Sequence, residues 1–180
     1  VETSGKIKQG KLEATSLISS KEIGDATLTI ATRPFEDEKP LEGTLTLQQL
    51  DVAPLKPLSP AIRTLTGVLN GEIVLAGTVS EPALTGEMTI SNGAIDIQDT
   101  PVTLADWNQS IVLNQQTAKL NGTFVLGGGK GELTGDIDWS STPSANFSLK
   151  GNAFEVRQPN VRLKVSPNIE IAATKERVDV

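Results

Sequence analysis

Hydrophobic and polar residues alternate along most of the chain. Between Leu69 and Val79 the odd-numbered positions are apolar or glycine, and polar residues such as Asn70 and Glu72 lie between them. Successive side chains of a β-strand point to opposite faces, so this pattern predicts strands with one apolar and one polar face. The continuous apolar runs of doubly covered parallel sheets do not occur. We therefore predict an all-β protein.

A short pattern, Leu-x-Gly-x-apolar-x-apolar, occurs five times. The copies begin at Leu41, Leu69, Leu84, Leu120 and Leu133. In each copy the leucine, the glycine and both later apolar residues fall on one strand face. The irregular spacing predicts an elongated, curled (folded-over) sheet rather than a solenoid of fixed period. For a single glycine, a local bulge is the simpler explanation; five glycines in register predict a shared hydrophobic inner crease.

The predicted site is this inner face, treated as a hydrophobic groove. Its apolar members are Leu45, Leu47, Leu69, Ile73, Leu75, Leu84, Met88, Ile90, Leu120, Phe124, Leu126, Leu133, Ile137 and Trp139. Its glycines are Gly43, Gly71, Gly86, Gly122 and Gly135. We expect residues 1–180 to form a single β-groove segment of a longer protein.

One segment departs from the alternation. Ser59 suits a helix cap, Pro60 suits the first helical position, and Ile62 and Leu65 are spaced as one helical face. These residues predict one short α-helix near 59–66, with an irregular proline-rich loop as the alternative. Elsewhere, Asn92-Gly93 predicts a short hairpin turn, and residues 127–131 and 140–144 predict connections between strands.

Composition removes many kinds of chemistry. The 180 residues include no His, Cys or Tyr, so imidazole-based nucleophile systems, the usual zinc sites and disulfides are excluded. The net charge of -6 opposes nucleic-acid binding. Asp136 and Asp138 share the polar face and leave glycosidase chemistry or Ca²⁺ binding open, although a solvated face explains them more simply. We predict no catalytic residue, no metal site and no cofactor.

A ten-residue phrase carries a family resemblance. Residues 77–86 read Gly-Thr-Val-Ser-Glu-Pro-Ala-Leu-Thr-Gly, and related phrases lead into Leu69 and close the chain near Ser166. This G-T-V-x-x-P-x-L-x-G phrase resembles the repeat signature of the TamB-like proteins and the wider AsmA-like group of Gram-negative bacteria. The resemblance extends along essentially all 180 residues, and we expect an interior or near-C-terminal section.

The resemblance implies a place and partners. Such proteins are anchored in the inner membrane, cross the periplasm as a long β structure, and meet TamA, an outer-membrane barrel of the Omp85 type. The pair forms the translocation and assembly module, which is tied to outer-membrane protein and autotransporter assembly. Relatives are also implicated in moving phospholipids between the two membranes. Phospholipid acyl chains or outer-membrane protein precursors are thus the implied cargo.

The residues themselves are compatible with three functions. The first is a non-enzymatic hydrophobic conduit or holding surface, because an acyl chain gains about 0.8 kcal/mol for each CH₂ that it buries. The second is a purely structural scaffold whose crease is closed and dry. The third, more remote, is a carbohydrate-active β-helix enzyme that uses Asp136 and Asp138.

Overall fold

The computed structural model describes residues 2–98, 100, 103–158, 161–174 and 178–179. Nearly all of them lie in strands, which confirms the predicted all-β class. The strands are β1 (Glu2–Lys8), β2 (Lys11–Ser20), β3 (Gly24–Thr32), β4 (Leu41–Asp51), β5 (Ile62–Gly77), β6 (Pro82–Ile97), β7 (Leu104–Gln115), β8 (Thr117–Leu126), β9 (Gly129–Asp138), β10 (Ser144–Asn152), β11 (Phe154–Gln158), β12 (Val161–Val165), β13 (Asn168–Thr174) and β14 (Val178–Asp179).

The described strands form one long antiparallel meander. Twelve of them pair in the order β1 to β10, then β13 and β14, and the sheet is curled without closing into a barrel. Strands β11 and β12 form a separate two-stranded hairpin, inserted in the chain between β10 and β13. Short connections explain the meander, because consecutive antiparallel strands need only a tight turn between them.

The predicted α-helix near 59–66 is wrong in both type and position. The structure has a 3-10 helix at Ala53–Leu58, and β5 already begins at Ile62. A proline inside the helix, Pro57, removes one backbone donor and favours a short, tight turn. The residues after Ser59 pair instead with β6, where Leu65 faces Ile95, so strand pairing outweighs their helical spacing.

The predicted hairpin turn at Asn92-Gly93 is also wrong, because β6 runs through both residues from Pro82 to Ile97. The pairing with β5 and β7 shifts register there, which identifies a β-bulge. The other two predicted connections are confirmed. Gly127 and Gly128 form the tight turn between β8 and β9, and residues 139–143 join β9 to β10.

The fold has little interior. The described hydrophobic residues with less than a tenth of their surface exposed are Ala31, Leu47, Val52, Ala118, Phe124 and Phe154. The accessible surface is 12005 Å². A compact monomer of 19.0 kDa is expected to expose about 8,400 Å². The excess means that most of the sheet is a single layer.

Candidate functional site

Strand register brings the predicted inner face together. Directly opposed residues of an antiparallel pair lie on the same face. One such row crosses seven strands in the order Leu47, Gly71, Met88, Ile111, Leu120, Gly135 and Phe147. Neighbouring rows contain the other predicted residues, so thirteen of the fourteen apolar residues and all five glycines share this face. We call it the apolar face.

The rest of the described chain leaves the apolar face largely uncovered. Leu47 and Phe124 are buried, at 8% and 7% exposure, whereas the other twelve predicted residues are half-buried. The opposite face carries polar residues and a few exposed valines, among them Val74 at 46%. Each strand turns its apolar side to the same face, and among the described residues no second layer of strands packs on it there.

Some residues of the apolar face are absent from the predicted site. Strand β7 contributes Ile111 and Leu113, and β10 contributes Phe147 and Leu149. Strand β7 has no copy of the repeated pattern, and Val112 continues the apolar run between the two inward residues. Alternation alone therefore does not show which side of β7 is the apolar side. The pairing of Ile111 with Met88 of β6 shows that Ile111 and Leu113 lie on the apolar face.

The space beside each repeated glycine is occupied by atoms of a neighbouring strand. At Gly135 an added Cβ would lie 2.6 Å from the Phe147 ring, and at Gly122 it would lie 2.6 Å from Cδ of Gln109. At Gly43, Gly71 and Gly86, backbone atoms of the adjacent strand occupy the same space. Side chains and backbone of neighbouring strands thus lie directly over the glycines.

An aromatic cluster closes one part of the apolar face. The rings of Phe124 and Phe154 have centroids 5.8 Å apart and planes inclined at 42°. Phe124 lies over Gly131, and Phe154 lies over Gly151. A side chain at either glycine would occupy ring positions, so these glycines allow the rings to lie flat on the sheet. The cluster joins the β11–β12 hairpin to the apolar face.

Trp139, the fourteenth predicted residue, lies beyond the end of β9. Its backbone N–H donates to the carbonyl of Gln116 in the β7–β8 turn, at 3.0 Å. Its indole Nε1–H donates to the carbonyl of Pro82 at the start of β6, at 3.1 Å. The half-buried side chain therefore ties the ends of β6 and β9 together past the intervening turn.

Gln109 is a buried polar residue on the apolar face. It is 6% exposed, and its Nε2 donates to the carbonyl of Ser110 at 3.2 Å. Its Oε1 has no hydrogen-bond partner among the described residues and lies against Gly122. A buried acceptor without a donor costs free energy, so Gln109 is a weak point in an otherwise apolar row.

The paired carboxylates have ordinary structural partners. Asp136 lies 3.8 Å from Nζ of Lys119, and Asp138 accepts a hydrogen bond of 2.8 Å from the backbone N–H of Ser140. Hydrogen bonds from Ser140 lower the pKa of Asp138. A general acid needs the opposite shift. Within the described ranges, no three acidic side chains cluster closely enough to hold a metal ion.

The helical structure in the described part of the chain includes no segment with the length and hydropathy needed to cross a bilayer.

The fold and the apolar face together define a class of protein: a single-layer β-sheet, not closed into a barrel, with one extended apolar face.

Comparison with known proteins identifies the family. The family model described as "TamB, N-terminal domain" matches residues 1–90, half of the chain, and the chain belongs to the TamB family. It is 24% identical over 143 residues to the translocation and assembly module subunit TamB of Haemophilus influenzae. The match covers 78% of this chain and 11% of that relative. No solved structure matches.

The family assignment confirms the resemblance seen in the sequence. The matched domain is described as N-terminal, whereas the sequence led us to expect an interior or near-C-terminal section. That placement stays a prediction.

Proposed function

We propose that this chain is a section of a non-enzymatic translocation and assembly module subunit and that its apolar face holds apolar cargo. The extent of the uncovered apolar face carries the proposal. Thirteen predicted residues lie on it across β4 to β9, and eleven of these are only half-buried. An uncovered apolar area spanning several strands is typical of an interaction surface, because monomeric soluble proteins rarely expose one without a use.

The cargo that we propose is a phospholipid acyl chain or an outer-membrane protein precursor. An acyl chain needs many small apolar contacts and no specific polar partner, and the face offers rows of Leu, Ile and Met. A precursor strand could also use the unpaired edge of β1, whose described residues are all exposed. In this proposal the full-length protein is anchored in the inner membrane, crosses the periplasm and acts with TamA.

The scaffold alternative requires a closed, dry crease. The small number of buried apolar residues and the large accessible surface speak against it. The enzyme alternative requires a perturbed carboxylate pair. Asp138 has a lowered pKa and is bonded within its own turn, which speaks against it.

The test uses two adjacent residues that differ in face. Ile73 lies on the apolar face opposite Gly86, and Val74 lies on the polar face at 46% exposure. A photocrosslinking amino acid at position 73 of the full-length protein should capture phospholipid or outer-membrane protein precursor, and the same residue at position 74 should not. Equal capture at both positions, or capture at neither, would contradict the proposed cargo site.

A second measurement separates binding from folding. Ile73→Glu should abolish function of the full-length protein because it places a charge on the apolar face. Val74→Glu should leave function intact. Circular dichroism of both variants reports whether the sheet still forms. A functional Ile73→Glu variant would refute the proposal.

A further inference from the structure

Strands β4, β6 and β7 each carry a bulge in the middle of the sheet, with β5 lying between the first two, and β5 has a further register shift nearer its start, between Ile62 and Thr64. Strand β4 has an extra residue between Leu47 and Leu50, β6 has one between Ile90 and Gly93, and β7 has one between Ala105 and Asn108. A bulge bends its strand and increases the local twist. The bulges of the adjacent strands β6 and β7, with that of β4 one strand further on, therefore add up to a crease that crosses the strand direction.

Each bulge contains a non-glycine residue in the left-handed backbone region. The φ angles are 50° at Gln49, 52° at Asn92 and 48° at Asp106. Asn and Asp tolerate this conformation better than most residues, whereas Gln gains no such advantage. Backbone strain of this kind persists only where surrounding contacts maintain it.

Two asparagine side chains maintain the bulges. Oδ1 of Asn70 accepts hydrogen bonds from the backbone N–H and from Nε2 of Gln49, at 2.9 and 3.0 Å. Oδ1 of Asn108 accepts from the backbone N–H of Asn92 at 3.1 Å, and its Nδ2 donates to the carbonyl of Asp106 at 2.9 Å. The backbone N–H groups of Gln49 and Asn92 therefore donate hydrogen bonds to asparagine side chains at the bulges.

The alternation of apolar and polar residues shows that the extra residues are not needed to form the apolar face. Without Gln49, the alternation would run directly from Leu47 to Leu50, and without Asn92 it would run from Ile90 to Gly93 and Ile95. Removing Asp106 would likewise keep Trp107 and Leu104 on one face. Straight strands that lack the three extra residues would place the same apolar residues on this face. The bulges therefore change the shape of the face and not the residues that form it.

We propose that the bulges at Gln49, Asn92 and Asp106 form a fixed crease, positioned by Asn70 and Asn108, that sets the curvature of the apolar face. The curvature in turn determines how closely the face fits its apolar ligand, and this second step rests on the proposed function. Asn70 and Asn108 are positioning residues, since their hydrogen bonds hold the backbone and lie on the polar side.

Strand β5 allows the curvature to be measured directly. Thr64 and Val74 are exposed, lie on either side of the crease, and are separated by ten residues in a strand that none of the deletions alters. A straight antiparallel strand would separate them by about 34 Å. Because the chain contains no Cys, Thr64→Cys and Val74→Cys give two unique spin-label sites for electron-electron distance measurement.

The parent protein, which carries only the two spin labels at positions 64 and 74, should give a narrow distribution of label-to-label distances centred well below that straight-strand distance. Deletion of Gln49, Asn92 and Asp106 together should lengthen the distance toward it, and deletion of Asp37 from the β3–β4 loop is the control. A folded triple-deletion protein with the parent's distance would overturn the proposal.

If the triple-deletion protein fails to fold, substitutions at Asn70 and Asn108 test the same proposal. Combined Asn70→Ala and Asn108→Ala should broaden the distribution and reduce hydrogen-exchange protection of the Gln49 and Asn92 amides by roughly fivefold to tenfold. Asn70→Asp should behave like the parent, because a carboxylate oxygen accepts from the same donors. Asn121→Ala is the control, since its side chain has no hydrogen bond within the described residues. An unchanged distribution in the double variant would overturn the proposal.

Ligand fit is measured separately with cis-parinaric acid, a fluorescent fatty acid. The parent should bind it, and the folded triple-deletion protein should bind at least fivefold more weakly. Equal binding by both proteins would refute the link between crease and ligand. If the parent fails to bind, the acyl-chain part of the proposed function fails, while the spin-label distances still decide whether the crease exists.

Discussion

The flat packing of Phe124 on Gly131 leads to a specific prediction for Gly131→Ala. An added Cβ would lie 2.5 Å from Cε2 and 2.8 Å from Cε1 of the Phe124 ring. The backbone at residue 131 has little freedom to move, because it is paired with Phe124 on one side and Gly151 on the other. The ring must therefore leave its position, where it is 7% exposed and contacts Phe154.

The magnitude follows from the burial that the ring loses. Burying a Phe side chain is worth about 1.5–3 kcal/mol, and overpacking costs about 1–3 kcal/mol. We expect Gly131→Ala to lower the free energy of unfolding by about 2 kcal/mol. In a Phe124→Ala background the collision is absent, and the same substitution should stabilise by about 0.5–1 kcal/mol because alanine loses less backbone entropy in a strand.

A double-mutant cycle measures this coupling. The four proteins are unfolded with urea and followed by circular dichroism, and the coupling energy should be about 2–3 kcal/mol. Gly5→Ala is the control, because the nearest atom to an added Cβ there is 3.7 Å away. If Gly131→Ala costs the same with and without the Phe124 ring, the reasoning is wrong.

Three further predictions concern single positions. Gly86 has φ of +142°, so Gly86→Ala should destabilise the sheet by about 1–3 kcal/mol in urea unfolding, and a neutral result would contradict the assigned backbone. Trp139→Phe should cost about 1 kcal/mol by removing the hydrogen bond to the Pro82 carbonyl, and faster exchange at the start of β6 would locate the loss. Hydrogen bonds from Ser140 lower the pKa of Asp138, so their stabilisation is present above the ordinary value of 3.8 and is lost as pH falls through the lowered pKa. Asp138→Asn should therefore be less stable than the parent at neutral pH, with a difference that disappears in acid.

Much of the fold was predictable because strand alternation is a local property. The repeated pattern placed Leu69, Met88 and Leu120 on one face, and their register confirms that placement. The helix error had a tertiary cause, since pairing with β6 extended β5 to Ile62. The turn prediction at Asn92 failed for a different reason. One extra residue in the apolar–polar alternation is compatible with a bulge inside one long strand as well as with a turn between two strands.

Residue types and their order along the chain were enough to predict the strand class, the composition of the two faces, the excluded chemistry and the family resemblance. These properties depend on residue type and on spacing over a few positions. The tertiary structure was needed to show that the described residues leave most of the apolar face half-buried, that Trp139 bridges strand ends and that Asn70 fixes a bulge in another strand. Alternation states which side of a strand is apolar, but what covers that side, and what bends it, depends on residues far away in the chain.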